Sequence, residues 1–214
     1  MAIIGIVGFI GSGKGAVGEI LEQRGWIRDS FAAPLKDACA AIFGWPRELL
    51  EGDTEVSRRW REIPDKFWSE KFGRPFAPRE ALQLMGTEAG RDVFHKDLWV
   101  SSLLNRSKGK NIVITDVRFK NEIEHIQKND GVVVRIKRGP EPIWYELAKY
   151  QNHLGEDGEY RLSDSNNTME QKYPNIHRSE WDWIGCEYDY IIDNDGSLQD
   201  LGNRVDDMLH NFNF

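Results

Sequence analysis

The segment Gly8-Phe9-Ile10-Gly11-Ser12-Gly13-Lys14-Gly15 has the residue types and spacing of a phosphate-binding loop. Its glycines let successive backbone N–H groups turn toward one point, which is how a chain surrounds phosphate oxygens. The loop follows an apolar run and opens a stretch of helical spacing, so a helix N-terminus adds partial positive charge. Lys14 supplies a point charge for the β- and γ-phosphates, and the backbone from Gly11 to Ala16 would hold the triphosphate. Where such loops usually carry Ser or Thr after the lysine, this chain has Gly15 and then Ala16. The standard hydroxyl ligand for Mg²⁺ is therefore missing, which argues against a G-protein-like or motor-type ATPase.

Other residues offer the rest of a phosphate chemistry. Thr115-Asp116-Val117-Arg118 ends an apolar run. Asp116 could hold Mg²⁺, directly or through water, or accept a hydrogen bond from a substrate. Arg118 could clamp a phosphate bidentately; the plain alternative is a surface salt bridge between the two. Lys36 stands near the start of a helical stretch, where a cation is unfavourable unless an anion is bound. Arg79, Gln83 and Arg91 could face a substrate phosphate, although bland helix-surface charge explains their spacing as well. Arg138 follows another apolar run and is suited to spreading transition-state charge. Asn194 and Gly196, in Asp193-Asn194-Asp195-Gly196-Ser197, could line a nucleotide base, and a turn with a helix cap is an adequate alternative. Arg178 could reach a closing lid. His95, His125 and His210 have no ligand-like spacing, and Trp181 and Trp183 read as packing.

The elements that must position these residues alternate. Ala2–Val7, Trp26–Phe31, Asn111–Thr115, Val132–Ile136 and Tyr188–Ile192 read as strands. Gly13–Gln23, Pro34–Phe43, Pro78–Phe94, Leu98–Asn105 and Phe119–Lys128 read as helices, and Ser197 caps a terminal one. Apolar strands alternating with helices imply a parallel sheet covered on both faces, with ligands at the strand C-termini. The expectation is one α/β domain over residues 1–214, with about five parallel strands in a three-layer sandwich. A substrate-side excursion is expected at about 45–77, and an inserted, mobile, lid-like lobe at about 139–187. The chain's 214 residues carry 28 Lys+Arg against 35 Asp+Glu, a formal net charge of −7. That balance argues against a nucleic-acid-coating surface and allows a small anionic ligand in a local basic cleft. Two cysteines make no disulfide framework, and no apolar run is long enough for a membrane span or reads as a signal peptide, so a cytoplasmic protein is expected.

Taken in order, these blocks resemble the deoxynucleoside monophosphate kinases of tailed bacteriophages, within the P-loop nucleoside monophosphate kinase superfamily. The resemblance is carried by Gly11-Ser12-Gly13-Lys14, Pro34-Leu35-Lys36, Arg79 with Gln83, Gly86-Thr87, Trp99, Asp116-Val117-Arg118 with Glu122, Arg138, His177 with Ser179-Glu180, and Asn194 to Leu198. It implies a P-loop NTPase-type fold and ATP-dependent conversion of a deoxynucleoside monophosphate to the diphosphate with Mg²⁺. A homodimer acting in the cytoplasm of an infected host, to supply precursors for phage DNA synthesis, is implied as well. It places ATP on Ser12 to Ala16. It places the monophosphate among Leu35, Lys36, Arg79, Gly86, Thr87 and Trp99, with Asp116, Arg118 and Glu122 near the phosphates. Family members often carry Asp-Thr where this chain has Gly15-Ala16, and some have a basic residue at the place of Ile10. A dephospho-coenzyme A kinase is the neighbouring alternative. A P-loop ATPase or nucleic-acid accessory protein is the more distant one.

Overall fold

Strands that are apolar on both faces fit only the middle of a covered sheet. β1 (Ile3–Val7) is buried at every position. The computed structural model, which describes residues 2–153 and 168–214, carries it into α1 (Lys14–Gln23) and β2 (Ile27–Asp29). The chain then builds a helical unit, Ser30–Arg106. This holds α2 (Ala33–Phe43), a 3₁₀ turn at Arg47–Leu50, α3 (Glu55–Glu62), α4 (Lys66–Phe72), α5 (Pro78–Gln83), a π-helical stretch at Leu84–Phe94 and α6 (Leu98–Arg106). The sheet unit resumes with β3 (Ile112–Ile114), α7 (Lys120–Lys128), β4 (Val132–Lys137), α8 (Tyr145–His153), α9 (Met169–Lys172), a 3₁₀ turn at Arg178–Glu180, β5 (Tyr190–Asp193) and α10 (Leu198–Asn211).

The five strands run parallel, as the alternating pattern predicts, and the structure orders them β2-β3-β1-β4-β5. Ile4 and Ile6 of β1 pack with Val17, Ile20 and Leu21 of α1 and with Leu201, Val205 and Met208 of α10. The opposite face meets α7. A Cβ on Gly5 would come within 2.5 Å of Ile126 Cδ1, so glycine is what lets that helix approach. The sheet unit is thus three-layered. Because every strand is parallel, the segments after β1, β3, β4 and β5 leave one edge. That edge carries the loop of Lys14, then Asp116 with Arg118, then Arg138, then Asn194. Ser197 caps α10 by accepting from the Asp200 N–H, while Asp200 accepts from the Ser197 N–H.

Two expectations change. The stretch expected as a lobe outside the core, 139–187, buries Ala148, Met169, Trp181, Trp183 and Ile184 in its described parts. Periodicity missed this because short helices joined by 3₁₀ turns present no repeating face. Residues 154–167 of that lobe lie outside the described residues. The helix expected over Pro78–Phe94 is α-helical only to Gln83 and π-helical beyond it. Within the π stretch the Trp99 indole N–H donates to the Gly86 carbonyl at 2.8 Å, and a Cβ on Gly90 would come within 2.6 Å of Trp99 Cζ2. Apolar spacing does not register a carbonyl taken by an indole. The helical unit has its own core of Leu35, Cys39, Trp45, Leu50, Phe76 and Ala81, against which Phe43 stacks on Trp45 with ring centroids 4.4 Å apart. Among the described residues, no helix is long and apolar enough to cross a membrane.

Candidate active site

The loop after β1 is held open by its own backbone. Gly13 sits at φ +104°, a left-handed conformation that a side chain would strain, and no side chain caps the α1 N-terminus. The Lys14 ammonium folds over the loop and donates to the carbonyls of Gly8 at 2.7 Å and Phe9 at 2.9 Å. Burial, and after it the neighbouring Arg118, lower the Lys14 pKa against the opposing pull of Glu180 and Asp116, and the net value is about 8. Lys14, Arg118, Glu180 and Asp116 therefore share one electrostatic neighbourhood. Ser12 is buried, and its Oγ has no hydrogen-bond partner among the described residues.

Two neighbours shape the loop from behind. Asn194 is 8% exposed; its amide donates to the Ser12 carbonyl at 2.8 Å. The amide is thus turned inward on the loop backbone, not outward to a base, and its closeness also excludes a side chain at position 13. Phe9 meets Trp144, Tyr145 and Trp183 edge-on, with centroids 5.5, 6.2 and 4.9 Å away. Under them the buried Arg135 is paired with Glu141, bonded to the Tyr145 hydroxyl, and faced by the rings of Tyr145, Trp183 and Tyr188.

The turn after β3 carries Asp116 and Arg118, both partly exposed. Glu122, expected against the substrate, is 2% exposed, and its carboxylate accepts the backbone N–H groups of Arg118 at 2.7 Å and Phe119 at 3.0 Å. It shapes the turn from within, because two inward N–H groups bind its oxygen. Arg118 Nη1 donates to Glu180 at 2.5 Å. Asp182 accepts the Lys120 N–H at 3.0 Å and pairs with Arg178 at 2.7 Å. Arg178 is therefore tied to a neighbour within its own turn. Arg28 of β2 donates to the Thr115 hydroxyl at 3.3 Å and lies 3.9 Å from where a Gly15 Cβ would stand. Sequence reasoning gave Arg28 and Glu180 no role. Glu180 falls in the His177 to Glu180 block, but no local pattern gives either residue its role, since their partners stand 87 and 62 positions away. Arg138 is exposed beyond β4, Gly196 is exposed in the turn before α10, and Ile10 is 76% exposed.

In the helical unit, Leu35 is buried and would lie 3.0 Å from a Cβ on Gly86. Gly86, Thr87 and Arg91 all fall within the π stretch, and Gln83 immediately precedes it. Lys36 is bound to Glu51 at 2.5 Å, and Arg47 bridges Glu51 and Asp37. The anion that a lysine near a helix start requires is thus supplied by the protein itself. Burial disfavours the charged form of Glu51, but Lys36 and Arg47 outweigh it and hold the carboxyl below its ordinary range. Arg79 pairs with Glu62 at 3.0 Å on the surface, and Arg91 donates to the Lys96 carbonyl at 3.3 Å.

No protein-family model matches the chain. A protein of Acanthamoeba polyphaga mimivirus that carries the name deoxynucleotide monophosphate kinase is 35% identical over 153 residues, which cover 64% of this chain and 75% of that protein. The deoxynucleoside-5′-monophosphate kinase of Escherichia phage T5 is 28% identical over 189 residues, 60% of this chain and 72% of the relative. Among solved structures, the shikimate kinase of Bacteroides thetaiotaomicron aligns over 98% of both chains at 13% identity, with a TM-score of 0.45. With the viral relatives matched over most of their length, and with a glycine loop and lysine at the head of a parallel sheet, the chain belongs to the deoxynucleotide monophosphate kinase family.

Proposed function

We propose that this protein transfers the γ-phosphoryl group of ATP to a deoxynucleoside 5′-monophosphate, giving ADP and the diphosphate. The observation that carries this reading is Lys14, seated over the glycine loop in one charged neighbourhood with Asp116 and Arg118. Family membership supplies the acceptor class.

An acceptor phosphate oxygen attacks the γ-phosphorus in line as the bond to the ADP oxygen breaks. The acceptor phosphate, with a second pKa of about 6, is largely dianionic at neutral pH and needs no general base. The protein's work is then positioning and charge neutralisation. Backbone from Gly11 to Ala16 holds the ATP phosphates, and Lys14, Arg118 and Arg138 spread the charge of the transferring group. Leu35, Lys36, Arg79, Gln83, Gly86, Thr87, Arg91 and Trp99 serve the acceptor. Asp116 would hold Mg²⁺, directly or through water; a single hard carboxylate beside substrate phosphates is the donor set that Mg²⁺ accepts. When bound, Mg²⁺ neutralises charge on the β- and γ-oxygens. The acting form is a homodimer, and its partners are nucleotides, neither nucleic acid nor membrane, in keeping with the acidic balance.

The test is ADP release by Lys14→Ala and Arg118→Ala. Each is expected to lose on the order of 10³-fold in rate. Turnover near wild type in either would remove that residue from the reaction.

A further inference from the structure

Two acidic side chains from the segment just before β5 grip the turn that carries Arg118. Glu180 takes one of the Arg118 Nη donors at 2.5 Å and leaves the rest of the guanidinium fork uncommitted to it. Asp182, 8% exposed at its side chain, accepts the first N–H of α7 at 3.0 Å and is itself oriented by Arg178. The backbone of the same segment is fixed: the Trp183 indole donates to the Glu180 carbonyl at 3.0 Å, and the Asn152 amide donates to the carbonyls of Trp181 and Ile184 at 2.9 and 2.8 Å. Trp183 in turn packs against Phe9 of the phosphate loop. One strap therefore touches the loop through an aromatic contact and the arginine turn through two carboxylates.

We propose that residues 178–183 form a positioning strap, in which Glu180 fixes the Arg118 guanidinium for phosphate and Asp182 anchors the turn beneath it. This rests on the kinase reading given above. Glu180 is a positioning residue because its contact is to Arg118 and not to the reacting atoms. It also supplies a negative charge where Lys14 and Arg118 repel each other. A guanidinium with one donor held and the others available is aimed at low entropic cost, whereas an untethered arginine must be ordered during each turnover.

The experiment compares Glu180→Ala, Glu180→Gln and Asp182→Asn with wild type, measuring kcat and KM for ATP and for the acceptor. Each variant is first checked for a wild-type unfolding transition. Glu180→Ala is expected to lower kcat on the order of 10²-fold, with KM for ATP nearly unchanged. Glu180→Gln, which keeps an acceptor oxygen for the guanidinium, is expected to recover most of that loss. Asp182→Asn should fall between them. Wild-type kcat in Glu180→Ala would overturn the strap. So would a Gln variant as impaired as Ala, or a lowered ATP KM at unchanged kcat, which would mean that Glu180 withholds Arg118. A second readout is independent of catalysis: the Arg118 guanidinium NMR signals, assigned by their loss in Arg118→Lys. They should be motionally restricted in wild type and Glu180→Gln and averaged in Glu180→Ala. Equal mobility in all three would overturn the proposal. Absence of turnover in wild type itself would count against the kinase reading, and the NMR comparison would then decide the strap alone.

Discussion

Lys14 is the residue on which burial and function conflict most directly. A buried ammonium loses solvation, so its folded pKa falls to about 8 from 10.5. Between those values the folded state binds fewer protons than the unfolded chain, so the Lys14 contribution to stability improves as pH rises through that window. Anion binding has the opposite sign, because it requires the protonated form. Affinity for inorganic triphosphate, measured by calorimetry without Mg²⁺, is expected to be steady below about pH 8 and to fall above it. Proton uptake should accompany binding near that pH; affinity that is flat to pH 10 would contradict the account. Asn194 gives a second prediction. Asn194→Asp replaces a buried donor with an acceptor facing the Ser12 carbonyl. It should cost about 2 kcal/mol in denaturant unfolding and weaken ATP binding, since a buried acceptor loses its partner. Unchanged stability would remove its loop-holding role. Local pattern could reveal the loop lysine because everything it needs lies within eight residues. It could not reveal that Asn194 turns inward, because an Asn-Asp-Gly turn looks the same whichever way the amide points.

At the scale of elements, the strands and the helices that cover them were legible because each is a continuous apolar run or a regular stripe. β1, β3 and β4 lie within a residue or two of their expected limits. The π stretch and the packed segment before β5 were not legible, since both depend on contacts between distant residues. The Glu51 cluster shows the same dependence inside the helical unit, where the start of α2 is tied to the 3₁₀ turn by Lys36 and Arg47. Glu51→Gln is expected to destabilise that unit by roughly 1 kcal/mol or less at neutral pH, given the cluster's partial exposure. The sign of its pH dependence follows from the lowered carboxyl pKa. The contribution is fully present above the ordinary carboxyl value of 4.5 and is lost as pH falls through the lowered folded value. Thermal melts of wild type and variant should therefore differ at pH 7 and converge in acid. A constant difference across that range would show that Glu51 acts through packing instead.

At the scale of the whole molecule, the division of labour follows connectivity. The sheet unit brings the residues proposed for the phosphate chemistry to the C-terminal ends of its five parallel strands, which share one edge. The residues assigned to the acceptor nucleoside stand on the helical unit, built between β2 and β3. A chain of this charge and topology suits a small anionic substrate, and its viral relatives direct attention to deoxynucleotides. The most direct test is ADP formation from ATP and Mg²⁺ with each ribo- and deoxynucleoside monophosphate, and with dephospho-coenzyme A, as acceptor. The account predicts turnover with one or more deoxynucleoside monophosphates and little ATP loss without acceptor. A folded, ATP-binding protein that turns over none of them, or only dephospho-coenzyme A, would contradict it.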